Sequence, residues 1–234
     1  MFKRFLDIII SSIGLIFLIP IILPIIIVIW WEDKKTPFYI PLRVGKNNKM
    51  FKMIKLRSMY VDADKSKVNS TSDNDLRITS IGKKIRKYKL DELVQLWNVL
   101  LGDMSLVGPR PNIKSETDLY TDVEKDLLLV KPGITDFSSI VFTDEGKILE
   151  DKKDPDLAYN QLIRPWKSRL SLIYIKNQSN LLDLQIIIFT LIAFISKRKA
   201  LQLINKKLIN LGADIHTIKT SLRENELSPH TPPD

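Results

Sequence analysis

Between Ile8 and Trp31 the chain carries no charged side chain (IIISSIGLIFLIPIILPIIIVIWW), and this run limits what the whole molecule can be. As an α-helix it would measure about 36 Å, against a bilayer hydrocarbon core of about 30 Å. A secretory signal is the plain competitor, but its apolar region is shorter and closes on small residues. Here the run closes on Trp30 and Trp31, rings suited to a membrane–water interface. The segment is expected to enter a membrane. Pro20 and Pro24 stand about one turn apart in its middle, and each removes a backbone hydrogen bond. Lys3 and Arg4 precede the run, and Lys34, Lys35 and Arg43 follow it, so positive charge gives no clean orientation. Two geometries remain. A kinked transmembrane span is favoured by length alone; a bent helix that dips in and returns to the same face accounts for the prolines and the charges together.

The chemistry has to be built without sulfur. With no Cys, thiolate catalysis, disulfides and cysteine-based zinc sites are excluded, and the only histidines are His216 and His230 in the polar C-terminal part. Acid–base or nucleophilic work therefore falls to carboxylates. A net charge of +9 calls for an anionic partner: nucleic acid, a phosphorylated substrate or acidic lipid headgroups. The missing cysteines fit a reducing cytoplasm. At 234 residues the chain fits one domain with an appendage.

Along the chain, residues 38–40 and 50–54 are short apolar runs around the turn signal Gly45-Lys46-Asn47-Asn48, which reads as a hairpin. Residues 62–75 read as a polar loop, 81–101 as helix, 147–156 as a charged loop, and 158–175 as a helix interrupted at Pro165. The apolar run Leu181–Ile195 is too short to span a bilayer comfortably, which leaves a surface-lying amphipathic helix or a core helix. Residues 201–211 continue helically and 228–234 form a disordered tail. The expected fold class is α+β and mainly helical: a membrane-associated single domain with a membrane helix at 1–33, a catalytic part at 34–200 carrying surface helices, and a C-terminal helix and tail at 201–234.

The densest chemistry lies in Leu90–Pro111, LDELVQLWNVLLGDMSLVGPRP. Taken as a helix, residues 90–101 place Leu93, Val94, Trp97, Leu100 and Leu101 on one face and Asp91, Gln95 and Asn98 on another. Asp91 then sits near a helix N-terminus, where the local field favours a carboxylate or a phosphate. Acid pairs at helix starts commonly do no more than serve helix electrostatics. In Gly108-Pro109-Arg110-Pro111 the prolines restrict Arg110 to extended backbone, pre-orienting a guanidinium suited to phosphate; a turn with a solvated Arg is the alternative. Lys52, Lys55, Arg57, Arg77 and Arg86 form a basic group upstream, read either as a lipid-facing surface or as a phosphate pocket. Nucleotide-binding glycine motifs are absent, and the Asp-x-Asp pairs at 62/64, 73/75 and 154/156 read as loop composition. No motif supports nucleic acid as partner.

The sequence resembles the bacterial sugar transferases, the monotopic phosphoglycosyl transferases that act on polyprenyl phosphate. The resemblance runs from Lys3 to Ile195. It is carried by Lys3-Arg4-x-x-Asp7, Pro20, Arg43-x-Gly45, Phe51-x-x-x-Lys55-x-Arg57-x-Met59, Asp75-x-Arg77-Ile78-Thr79, Gly82-x-x-x-Arg86, the Leu90–Pro111 run and Lys131-Pro132-Gly133-Ile134-Thr135. It implies that Asp91 is the nucleophile on the β-phosphate of a nucleoside diphosphate sugar, with uridine as the expected base. It implies that Glu92 assists deprotonation of the incoming polyprenyl phosphate, undecaprenyl phosphate in a bacterium. It further implies Mg²⁺ held through Asp91 and the diphosphate, phosphate contacts from Arg110 and Arg86, and from Lys55, Arg57, Arg77 and Lys131, and a re-entrant helix broken at Pro20 and Pro24. The site would face the cytoplasm at the inner membrane, acting first in a surface-glycan pathway, with membrane lipids as partners. The chain departs from the family pattern at Ile19, where a Ser often precedes the proline, and at Lys131 in place of Arg. It departs again at Asp136-Phe137-Ser138, in place of a Gly-Trp continuation. The rival reading is a membrane-anchored scaffold that keeps the fold without the chemistry; the presence of both Asp91 and Glu92 speaks against it. The sugar and the oligomeric state, a homodimer included, stay open.

Overall fold

The computed structural model describes residues 2–66 and 68–234. Its elements in chain order are α1 (Phe2–Asp33), β1 (Phe38–Tyr39), β2 (Leu42–Val44), β3 (Met50–Lys52), β4 (Lys55–Leu56), α2 (Ser80–Lys87), α3 (Leu96–Leu101), β5 (Ser105–Val107), α4 (Lys114–Thr117), β6 (Gly133–Thr135), α5 (Phe137–Val141), α6 (Glu145–Ile148), α7 (Pro155–Ala158), α8 (Arg164–Lys176), α9 (Asn180–Ile195), α10 (Lys197–Asn210) and α11 (Ile215–Ser221). Among the described residues the fold is mainly helical, as expected, with three two-stranded sheets where one short hairpin was expected.

Helical backbone continues through both prolines of α1, so the break expected at Pro20 and Pro24 does not interrupt it. Proline's φ is compatible with a helix; what each ring removes is one hydrogen bond to the carbonyl four residues back. The helix lies against the rest of the molecule from end to end. At its start, Lys3 Nζ donates to Val107 O at 2.9 Å and pairs with Asp183 at 2.7 Å. Arg4 donates to Leu100 O at 2.8 Å, one of the free carbonyls ending α3. Asp7, buried, accepts from Ser105 Oγ at 3.1 Å and Leu106 N at 3.0 Å. At its end, Asp33 pairs with Arg57 at 2.6 Å. Between the ends, Ile22 and Ile29 join Leu56, Ile85 and Val94 in a small apolar cluster. Lys3 and Arg4, read above as orientation signals, are thus spent on internal contacts. The opposite side of α1 exposes Ile13, Ile16, Phe17, Leu23 and Ile27. Lys34 Nζ lies 4.1 Å and 4.2 Å from the ring centroids of Trp30 and Trp31, closing the helix with cation–π contacts.

The hairpin forms, but in a different register from the one expected. β2 pairs with β3 (Arg43 opposite Phe51) around the turn, where Asn47 and Asn48 take left-handed backbone, which Asn tolerates. Residues 38–39 then pair with 55–56 rather than with 50–54. Pro41 interrupts the ladder because it has no N–H to give, yet its carbonyl accepts from Met53 N at 2.9 Å.

The main core gathers Val99, Met104, Phe137, Ile140, Leu149, Ile163 and Leu170 with Leu182, Ile186, Ala200, Ile204 and Leu208. α9 turns Leu182 and Ile186 to this core, as a core helix would, while Leu181, Leu184, Ile188, Leu191 and Ile195 form an exposed stripe at helical spacing. Ser196 caps a separate α10, whose Ala200, Leu201, Ile204 and Leu208 pack into the same core, so the fold does not stop at residue 200. Residues 155–176 run helically without a gap, and the expected irregularity near Pro165 takes the form of a π-helical stretch at Tyr159–Ile163 before α8, whose first turn holds the proline. The tail expected to be disordered is laid along the body: His230 N donates to Gln161 O at 3.0 Å, its ring meets Trp166 edge-on at 4.4 Å, and Arg169 donates to Thr231 O at 2.8 Å.

Candidate active site

The helix expected over 81–101 is three pieces. Thr79 caps α2 by accepting from Gly82 N at 2.9 Å, and α2 ends before Lys89, which takes left-handed backbone at φ 55°. Residues 90–95 then wind as a 3₁₀-helix before α3 begins. Three residues per turn put Asp91 and Val94 on one side and Glu92 and Gln95 on the next. The two faces do not sort by polarity as a result, since Val94 of the apolar face is buried too. Asp91, Gln95 and Asn98 are buried, whereas Trp97 and Leu101 are 49% and 62% exposed. The reason is tertiary. Asn98 donates to Lys52 O at 2.7 Å and accepts from Ile54 N at 2.9 Å, satisfying backbone at the β3–β4 turn. Val94, three residues after Asp91, belongs to the cluster that seats α1.

Arg110 reaches this pair from the segment that follows β5, which runs parallel with β6, Ser105 opposite Gly133. The segment before Arg110 is fastened by Gly108 N to Thr135 O at 3.0 Å and Gly133 N to Pro109 O at 2.8 Å. The chains approach so closely that a Cβ on Gly133 would fall 2.1 Å from Gly108 N. So the two motifs, Gly108-Pro109-Arg110-Pro111 and Pro132-Gly133, are one structural unit.

Arg110 grips Glu92 with both ends of its fork, Nη1 to Oε2 at 2.9 Å and Nη2 to Oε1, and Lys55 Nζ stands 3.6 Å from Oε1. The side chains remain 15% (Glu92), 19% (Lys55) and 28% (Arg110) exposed while heavily desolvated, as groups lining a cleft are. Burial opposes the charge on Glu92, but Arg110 and Lys55 outweigh it and hold this carboxyl well below the usual range. Asp91 goes the other way: burial, then the neighbouring Glu92 charge, push it up, against the pull of Lys55, Arg86 and Lys89. The Asp91 side chain makes no hydrogen bond or ion pair among the described residues. Arg86, half-buried at the end of α2, is likewise unpaired among them and close enough to act on Asp91.

Other expected phosphate contacts lie elsewhere. Arg57 is buried against Asp33 and Thr36 O (2.7 Å), where it fastens the end of α1. Arg77 binds Asp75 at 2.6 Å, Ser66 Oγ at 2.7 Å and Val68 O at 2.8 Å, using its fork to close the polar loop. Lys131 faces Arg4, Asp7 and Gly102 near the start of α1. The Asp-x-Asp pairs do structural work, as read from composition; Asp154, for instance, caps α7. Asp136, in the stretch that departs from the family pattern, is fully enclosed and accepts from Ser138, Ser139 and Ser171.

Sequence reasoning missed an acid on α6. Glu145, at the start of α6, pairs with Lys167 at 2.6 Å; burial opposes its charge, and Lys167 and then Arg110 hold it low. Burial raises the Glu116 carboxyl in spite of Lys167 and Arg43. No motif marks these residues, because they meet only through folding of β2, α4, α6 and α8.

A carboxyl without a partner thus stands beside an acid clamped by Arg and Lys, on the body that seats a long apolar helix. The chain belongs to the bacterial sugar transferase family, whose pattern it matches over residues 1–197. It is 38% identical over 201 residues to the UDP-glucose:undecaprenyl-phosphate glucose-1-phosphate transferase of Klebsiella pneumoniae, covering 84% of this chain and 41% of that protein. It is 36% identical over 143 residues to the UDP-N-acetylgalactosamine-undecaprenyl-phosphate N-acetylgalactosaminephosphotransferase of Aeromonas hydrophila, covering 59% of this chain and 34% of that one. The exopolysaccharide production protein ExoY of Rhizobium meliloti is 34% identical over 150 residues, covering 58% of this chain and 66% of its own length. The chain thus spans less than half of the first two relatives.

Proposed function

We propose that this chain transfers a sugar 1-phosphate from a uridine diphosphate sugar to undecaprenyl phosphate, releasing uridine monophosphate, as the first membrane step of surface-glycan synthesis. The observation that carries the reading is the unpaired, buried Asp91 carboxylate beside Glu92, Arg110 and Lys55, in a chain whose relatives are named for this transfer. An Asp91 oxygen attacks the β-phosphorus, the bond to the bridging oxygen breaks, and the nucleoside monophosphate leaves with that electron pair. The phosphosugar is then an acyl phosphate on Asp91. A phosphate oxygen of the polyprenyl carrier attacks the same phosphorus and frees the Asp91 carboxylate, leaving a polyprenyl diphosphate sugar.

The remaining residues bind, orient and move a proton. Arg110 presents a fork that fits two phosphate oxygens as well as it fits Glu92. As Arg110 turns to the donor, Glu92 loses its strongest partner and its proton affinity rises, which lets it take the proton of the incoming phosphate. Lys55 and Arg86 supply positive charge beside the phosphates. Among the described residues no cluster of three or more acidic or imidazole groups could hold a metal alone. Asp91 with diphosphate oxygens suits Mg²⁺, which is commonly shared between one carboxylate, phosphates and water. When bound, the ion neutralises charge on the diphosphate. The apolar outer faces of α1 and α9 support a monotopic enzyme at the cytoplasmic face of a bacterial inner membrane, where a lipid-borne acceptor is within reach.

Purified protein incubated with undecaprenyl phosphate, Mg²⁺ and a panel of nucleotide sugars is expected to release nucleoside monophosphate from at least one donor. Asp91→Asn is expected to lower the rate by at least about 10³-fold. Release from no donor, or an Asp91→Asn variant of wild-type rate, would overturn the reading.

A further inference from the structure

The reaction as proposed uses Asp91, Glu92, Arg110, Lys55 and Arg86, and leaves one buried group of the same 3₁₀ segment without a task. Gln95 closes that segment and is 1% exposed. Among the described residues neither its Oε1 nor its Nε2 has a hydrogen-bond partner. A buried amide left wholly unpaired destabilises the fold by the desolvation of both atoms. Its neighbour Asn98 shows the ordinary condition, donating to Lys52 O at 2.7 Å and accepting from Ile54 N at 2.9 Å. Departures from that condition concentrate where function requires them.

The backbone limits what the amide can meet. Leu90–Gln95 winds with three residues per turn, so side chains three apart stand over one another, and Gln95 stands over Glu92. Cβ atoms so placed are about 5–6 Å apart, a gap that a carboxyl and an amide can close. Apart from the exposed Trp97, the side chains from 92 to 98 with hydrogen-bonding atoms are Glu92, Gln95 and Asn98, and Asn98 is already engaged. The next residue, Leu96, is turned to α1, where a Cβ on Gly14 would fall 2.9 Å from its Cδ1. Gln95 is therefore enclosed one turn from Glu92. The amide is idle because Arg110 holds both oxygens of that acid, Nη1 on Oε2 at 2.9 Å and Nη2 on Oε1.

We propose that Gln95 is the positioning residue that receives Glu92 when Arg110 turns to the donor's phosphates. Nε2 donates to the released carboxylate. When the O–H bond of the incoming phosphate breaks and its proton passes to a Glu92 oxygen, Oε1 accepts from the new carboxyl O–H. An amide carries a donor and an acceptor on one plane, so Glu92 keeps its orientation in both protonation states. This rests on the transfer reaction proposed above.

The test separates the two half-reactions in wild type, Gln95→Met and Gln95→Leu. A uridine diphosphate sugar that wild type turns over is mixed with enzyme and Mg²⁺ alone, and the burst of uridine monophosphate reports attack by Asp91. Undecaprenyl phosphate is then added at saturation, and the loss of enzyme-bound phosphosugar reports the second step. Both variants are expected to keep the burst rate within about twofold of wild type and to slow the second step by about 10- to 100-fold, the range for one hydrogen bond to a charged group. Their thermal midpoints are expected to stay level or rise, because an apolar side chain replaces an unpaired polar one. An amide that served the seam with α1, where Ser11 carries another buried hydroxyl without a partner among the described residues, would give the opposite sign. A midpoint below wild type, failure of both variants to fold, equal losses in the two half-reactions, or a second step of wild-type rate overturns the role of Gln95 and leaves the transfer reaction standing. A wild type that releases nucleotide from no donor overturns the reaction itself.

Discussion

At the residue scale, the adjacent carboxyls of Asp91 and Glu92 are pushed apart by their surroundings, one up by burial and one down by Arg110 and Lys55. The attacking group must be ionised, so nucleoside monophosphate release is expected to fall on the acid side at a pH above the usual Asp value of about 4. A pH–rate profile of that half-reaction checks it. The stability contributions have opposite signs. With its folded pKa raised, Asp91 favours the fold below its unfolded pKa, and this contribution is lost as pH rises through the folded value. Glu92, depressed, stabilises above its unfolded pKa and loses that contribution as pH falls through the folded one. Asp91→Asn is therefore expected to raise the thermal midpoint at pH 7–8 while abolishing turnover, a trade of stability for function that calorimetry reads directly. Asn98 is buried for a structural reason. Replacing it with Leu strands Lys52 O and Ile54 N, which is expected to cost about 2–4 kcal/mol and to lower the midpoint by roughly 5–15 °C.

At the element scale, the site depends on a left-handed Lys89 and on two glycines in contact. Lys89 ends α2 and lets a 3₁₀ segment start, which turns the acids inward; a continuous α-helix over the same residues would set a different face toward the core. The β5–β6 pair holds Arg110 only because Gly108 and Gly133 leave room for each other. Gly133→Ala is expected to force those strands apart and lower both stability and nucleotide release, the latter more than tenfold because Arg110 loses its aim. Thermal unfolding and the release assay on one preparation test both parts.

At the scale of the whole molecule, both ends of α1 are fastened to one body, Lys3 to Val107 and Asp183, and Asp33 to Arg57. A span with its ends on opposite sides of a bilayer could not keep both sets of contacts. Because the chain has no cysteine, single reporters can be introduced cleanly. Phe2→Cys and Lys35→Cys are expected to react with a membrane-impermeant maleimide from the same side of sealed vesicles. Labelling from opposite sides would sink the re-entrant arrangement. The exposed stripe of α9 adds a second apolar surface, so Leu191→Glu with Phe194→Glu should weaken binding to liposomes in flotation.

Much of this was legible in the chain. The uncharged run Ile8–Trp31 demanded a long apolar helix, the missing cysteines left chemistry to carboxylates, and the Leu90–Pro111 run singled out Asp91, Glu92 and Arg110. These are local properties: composition, a fixed φ beside proline, residues a few positions apart. Which basic side chains would meet the acids was not local. Lys55 arrives by a hairpin, whereas Arg57 and Arg77 are drawn off to Asp33 and Asp75. Periodicity sets Asp91, Gln95 and Asn98 on one face but does not show that this face is buried, where backbone polar groups of a distant turn need Asn98. The sequence by itself determined the long apolar helix and singled out the adjacent acids. Only the tertiary structure decided which charges neutralise one another, because ion pairing in a cleft depends on distances between residues far apart in the chain, to which no local pattern is sensitive.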